Sequence, residues 1–175
     1  MRNENCDPQR TASAPTNPQS VIRNPQSRGL RGRWLAAAGE ERLMNFVVEL
    51  DARGDENALG WSLRFDPAVW RFVAATNGGD ARHATLHVNA RVNGYVGLAL
   101  ALPSGQTFAA GARQVAVLNF APAGKLSGQA ALVEFGDYPV AREVVDAAAR
   151  VLPVGYAVSH KRADAPAGRE PIKQR

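Results

Sequence analysis

The sequence holds little on which catalysis, metal binding or cross-linking could be built. Its single cysteine, Cys6, excludes an internal disulfide, and no Cys/His cluster offers the spacing of a zinc site. No run of about 18 apolar residues occurs, which excludes a membrane-spanning helix. A Gly-x-Ser-x-Gly elbow is absent, and so is a glycine-rich phosphate loop closed by Lys-Ser or Lys-Thr. His83 and His87 can flank one strand, but that pair lacks the third ligand of a catalytic zinc. With His160, they read as exposed strand or loop residues. No period of about 20–50 residues repeats along the chain. Nothing here reads as an enzyme.

What is present suits one globular domain with tails. The chain has 175 residues, of which 45% are hydrophobic and 21% charged, too apolar for a wholly disordered protein. Gly 16 and Pro 11 fit a chain of short strands and many turns. The net charge of +5 invites a nucleic-acid reading until the charges are located. Residues 1–40 carry six arginines against Glu4, Asp7 and Glu40. Residues 159–175 carry five basic groups against Asp164 and Glu170, while 41–158 are one charge short of neutral. Basicity in the tails and a near-neutral body argue against a dedicated nucleic-acid reader.

The first 33 residues, with Pro8, Pro15, Pro18 and Pro25 among Asn, Gln, Ser and Arg, are read as flexible. They show no secretory signal, since no apolar core of about 7–15 residues follows a basic start. The division expected is a basic extension over 1–40, a sandwich over 41–159 and a basic tail over 160–175. Within the middle the period is two. In Leu59-Gly60-Trp61-Ser62-Leu63-Arg64-Phe65, the apolar set Leu59, Trp61, Leu63 and Phe65 points one way. Further strands are predicted at 46–50, 70–73, 85–89, 95–102, 114–120, 131–135 and 154–159. Asn93-Gly94 between two alternating runs predicts a hairpin. Only Val140 to Leu152, between Pro139 and Pro153, looks helical. About eight strands with short turns predict an all-β antiparallel sandwich or jelly roll.

The run Glu56-Asn57-Ala58-Leu59-Gly60-Trp61-Ser62-Leu63-Arg64-Phe65-Asp66-Pro67, followed by Phe72-Val73-Ala74-Ala75-Thr76, resembles the early strands of cohesin domains. Gly97 to Pro103 and Val115 to Phe120 fall where later strands of that family would, so the likeness spans roughly residues 43–158. It implies a nine-stranded jelly roll related to cellulose-binding modules. It also implies a non-catalytic receptor for a dockerin-like protein partner, in an extracellular or cell-surface assembly that handles polysaccharide. Such domains begin with a strand ahead of the one at 46–50. Here that stretch is arginine-rich, so the strand is expected to be missing and the bared edge to favour a homodimer.

Several residues invite a binding role. Arg64, His87 and Asn89 are polar positions in phase opposite to the apolar ones and are read as partner-binding. Tyr138, in the turn Gly136-Asp137-Tyr138-Pro139, is the aromatic best placed to be exposed. Trp61 and Trp70 are read as core rings rather than sugar platforms. The acidic turn offers Asp51, Asp55 and Asn57, beside Glu56, as hard oxygen ligands for calcium, though acidic turns are common for backbone reasons alone. The competing functions are a carbohydrate-binding module on the same fold and a structural sandwich without a ligand.

Overall fold

In a computed structural model the described residues are 28–35, 43–124 and 132–159. They form ten strands: β1 (Gly29–Leu35), β2 (Met44–Ala52), β3 (Glu56–Phe65), β4 (Trp70–Asn77) and β5 (Thr85–Asn89), then β6 (Tyr95–Ala101), β7 (Gly111–Pro122), β8 (Val133–Gly136), β9 (Glu143–Asp146) and β10 (Gly155–Ser159). One sheet runs β10-β1-β2-β7-β4. The other runs β5-β6-β3-β8, with β9 also paired to β3. All pairings are antiparallel except β1 with β10. This is the jelly-roll sandwich expected from the alternation. No helix among the described residues is long and apolar enough to cross a membrane.

The core follows the phases of the strands. Leu59, Trp61, Leu63 and Phe65 of β3 meet Val96, Leu98 and Leu100 of β6 and the inward residues of the opposite sheet, all fully or nearly fully buried. Phe120 of β7 gathers an aromatic group at one end. Phe65, Trp34 and Phe72 stand edge-on to it at 5.2, 5.5 and 5.8 Å between ring centres. Trp34 stacks on Trp70 at 4.8 Å. Trp61 and Trp70 are core residues, as their phase predicts. The Asn93-Gly94 step joins β5 to β6, with Gly94 at the positive φ of 82° that glycine adopts without strain.

Two expectations are corrected. The first strand is present. Residues 29–35, placed in a flexible extension, form β1 between β2 and β10. Leu30 and Trp34 turn inward, and Gly32 between them leaves room for the Phe46 ring, 2.2 Å from where a Cβ would stand. Arg31 and Arg33 turn outward to Asp51 and Glu49, and Arg28 reaches Asp55 and Glu56. Half of the arginines assigned to the N-terminal extension are thus neutralised by the body. The bared edge that suggested a homodimer is occupied by β1 and β10. The remainder of 1–40 and the tail 160–175, with His160, lie outside the described residues.

The second correction concerns 140–152, which looked helical. Its regular element is strand β9, and Val145 bridges Val151. Val144 is fully buried and Asp146 nearly so. The Asp146 carboxylate accepts the N–H groups of Ala148 and Arg150 at 2.9 Å and the Arg150 guanidinium at 2.7 Å. A side chain that captures local N–H groups in this way takes the donors a helix would need.

Candidate functional site

The outer face of the β5-β6-β3 sheet is laid out in rows by the strand register. The first row is Thr85, Ala101, Ala58 and Val145; the second is His87, Ala99, Gly60 and Glu143. The third is Asn89, Gly97, Ser62 and Gly136, and the fourth is Tyr95, Arg64 and Glu134. The central positions of the first two rows, on β6 and β3, carry only alanine or glycine. A shallow groove of about 370 Å³ lies over them, walled by Thr85 and His87 on one side and by Glu143 and Val145 on the other. Val140 and Ala141 close it towards the third row.

That closure is a strap, residues 137–142, between β8 and β9. The Ser62 hydroxyl donates to the Val140 carbonyl at 2.7 Å and accepts from the Val140 N–H at 2.8 Å. Glycine at position 97 makes the approach possible, since a Cβ there would stand 2.7 Å from Val140 Cγ2 and 2.8 Å from Pro139 Cγ. At the base of the strap, Asp137 accepts the Arg142 guanidinium at 2.8 and 2.9 Å and its N–H at 3.0 Å. These bonds hold the Asp137 carboxyl well below the usual carboxylate range, at about 2. Arg142 also lies 5.1 Å above the ring of half-buried Tyr156, whose hydroxyl is pushed up to about 12 by burial.

All four residues singled out from sequence face this side. His87 walls the groove, and Asn89 stands beside Gly97 with its side-chain oxygen 3.4 Å from the Arg91 N–H. Arg64 is exposed and pairs with Glu134 at 3.3 Å. Tyr138 rides on the strap, 58% exposed, edge-on to Tyr95 at 5.7 Å. The groove and the strap thus separate them: His87 lies on the open half, Arg64 and Tyr138 on the covered half. Sequence reasoning passed over the floor itself, Ala58, Gly60, Ala99 and Ala101, and the wall residues Glu143 and Val140. The signal was available in Gly97-Leu98-Ala99-Leu100-Ala101, where every outward position is small.

The acidic turn is an arginine socket. Glu56 is fully buried and accepts the N–H groups of Arg53 and Gly54 together with the Arg28 guanidinium. Asp55 accepts Arg28 at 2.7 and 2.9 Å, and Asp51 pairs with Arg31. The Asn57 amide donates to the Gln106 carbonyl at 2.7 Å. Among the described residues no group of three or more His, Cys, Asp or Glu side chains converges as a metal site.

No family model matches the sequence, and no curated protein matches it. Solved structures do. A non-cellulosomal cohesin from the hyperthermophilic archaeon Archaeoglobus fulgidus superposes with a TM-score of 0.54 at 10% identity, over 75% of this chain and 86% of that one. A type II cohesin module from the scaffoldin ScaA of Acetivibrio cellulolyticus gives 0.57 at 14% identity, over 81% and 99%. A type I cohesin–dockerin complex from Clostridium thermocellum gives 0.62 at 7% identity, over 75% and 97%. The domain is a cohesin-like jelly-roll sandwich.

Proposed function

We propose that this chain is a non-catalytic protein-binding module that docks a dockerin-like partner on the outer face of the β5-β6-β3 sheet. The observation that carries this reading is the groove, an apolar floor of four small residues with the polar side chains of Thr85, His87 and Glu143 on its walls, while Asn89 and Arg64 stand in the rows beyond it. A small apolar centre with a polar rim is the anatomy of a protein interface. The likeness to cohesins, several of them solved in complex with dockerins, supports the partner class. The same likeness supports an extracellular or cell-surface assembly, and a calcium requirement would then rest with the partner. The polysaccharide reading has less to stand on. Trp34, Trp61 and Trp70 all pack in the core, and exposed Tyr138 stands at 83° to Tyr95 rather than forming a flat platform.

The test immobilises the full chain and probes it with a panel of calcium-loaded dockerin modules, with and without chelator, beside a cellulose pull-down. Ala99→Arg blocks the floor, and Thr76→Arg on the outer side of the other sheet is the control. Calcium-dependent dockerin capture that Ala99→Arg abolishes and Thr76→Arg spares is the expected result. Capture that survives Ala99→Arg, or retention on cellulose alone, overturns the reading.

A further inference from the structure

The dimensions and charge of the groove narrow the partner further, and this step rests on the docking reading above. Neighbouring strands lie about 4.8 Å apart, and side chains on one face repeat about every 6.7 Å along a strand. The first two rows therefore floor a strip about 14 Å long from β5 to β9 and roughly 10 Å wide with side-chain radii included, narrowed at Gly60 by the Ala141 carbonyl of the strap. One helix, about 10 Å across with its side chains, fills that strip. A second helix packed beside it needs a further 8–10 Å or so. Across the strands, that space is taken by the strap, with Pro139 and Val140 seated on Gly97 and Tyr138 on Tyr95. Along the strands, two helices side by side would overhang the four-strand width.

The strap is a fixed wall. It is held at its middle by the paired Ser62–Val140 hydrogen bonds and at its base by the Asp137–Arg142 pair. The floor has no side-chain atom beyond Cβ at Ala58, Ala99 and Ala101, so a helix can approach the sheet closely there, while Gly60 lies under the edge of the strap, where a Cβ would stand 2.9 Å from the Ala141 carbonyl and 3.3 Å from Val140 Cγ1. The groove also has a sign. Glu143 lines it, and both neighbouring guanidinium groups are committed elsewhere, Arg142 to Asp137 and Arg150 to Asp146. Thr85 and His87 on the opposite wall carry no negative charge. Glu143 is thus the one carboxylate that lines the groove, and it has no cation among the described residues.

The geometry points to a single partner helix lying on Ala58, Ala99 and Ala101, with the strap edge at Gly60 beside it. That helix presents small or apolar side chains to the floor and a lysine or arginine to Glu143.

The test uses three capped helical peptides of about 20 residues, long enough to hold helix with side-chain pairing. They share an alanine–valine–serine face and differ at one position, which is Lys, Gln or Glu. Each is titrated into the isotope-labelled full chain at low salt, where charge contacts are least screened. The expected result is that amide shifts centre on Ala58, Gly60, Ala99, Ala101 and Glu143. The Lys peptide binds about fivefold tighter than the Glu peptide, the scale of an exposed ion pair and its reversal, and Glu143→Lys inverts the order. Shifts centred elsewhere, indifference to peptide charge or no shift at millimolar peptide overturns the inference. A dockerin that is lost on Ala99→Arg but indifferent to Glu143→Lys leaves the docking reading standing and removes this one.

Discussion

Replacing Arg28 by alanine should destabilise the whole sandwich, although the residue lies just ahead of the first strand. Its side chain is 5% exposed and that of Glu56 is fully buried, so the pair sits out of water. Arg28 also reaches the Pro153 carbonyl ahead of β10, and its own carbonyl accepts the Gly155 N–H at 3.0 Å. The residue therefore ties β1, β10 and the β2–β3 turn together. Removing one partner of a buried pair leaves the other charge without compensation, at a cost of about 3–5 kcal/mol. The two backbone donors that remain on Glu56 set the loss near the lower end. The Asp55 contact, with that carboxylate 52% exposed, adds well under about 1 kcal/mol. Against a total stability of about 5–15 kcal/mol, this is a large fraction, and it lowers Tm by about 6–15 °C in a domain of this size. Urea unfolding followed by tryptophan fluorescence measures it, with Arg28→Met/Glu56→Gln as the compensating double variant. The double variant should recover about half of the loss, and added salt should not mimic the single one. A loss below about 1 kcal/mol, or strictly additive single effects, would refute the reasoning.

Gly97→Val should lift the strap, because the added Cβ meets Val140 and Pro139 at under 3 Å. Stability falls by about 1–3 kcal/mol as the strap is overpacked, and the Val140 amide loses its exchange protection. An unchanged Val140 amide would count against the seat described here. The strap is also sensitive to acid. The Asp137 carboxyl, held at about 2 by Arg142, binds its proton less readily in the fold than in the unfolded chain. Its contribution to stability is therefore complete above pH ~4 and lost as pH falls towards about 2. Carboxyl carbon titration should show a midpoint near 2; a midpoint near 3.8 removes the pairing. Tyr156 works in the opposite direction, its burial favouring the protonated phenol, so stability falls as pH rises from ~10 to about 12. Phenolate absorbance should find one tyrosine titrating near 12, and Tyr156→Phe should abolish that step.

The parts of this fold legible in sequence are those where one phase is uniformly apolar. From Leu59 to Phe65, β3 alternates without interruption, so its inward face, its two outward polar residues and the burial of Trp61 all follow from period two. β1 hides the same alternation. Leu30 and Trp34 occupy the inward phase, but Gly32 stands between them, and the outward phase is Arg31 and Arg33, so the segment has the composition of a tail. A glycine chosen to fit beneath Phe46 is invisible until Phe46 is in place, and an arginine destined for Glu49 or Asp51 cannot be told from a solvated one. The groove is hidden by the same logic. Alanine and glycine at positions 58, 60, 99 and 101 carry no chemistry, and sequence reading looks for chemistry, so attention fell on His87, Asn89 and Arg64 around them. Yet where a surface must accept another chain closely, what matters at its centre is what has been left out. The strap extends this to its neighbour rows: Gly97 and Ser62 are small because Val140 lies on them, and Gly60 because the Ala141 carbonyl would stand 2.9 Å from a Cβ there, whereas Ala99 and Ala101 on β6 are small where no strap residue is seated. That contrast within one face sets the docking strip apart from a sheet surface that is simply solvated. It is also why substitutions at Ala99 and Ala101 should change binding, while those at Gly97, Ser62 and Gly60 should change the strap.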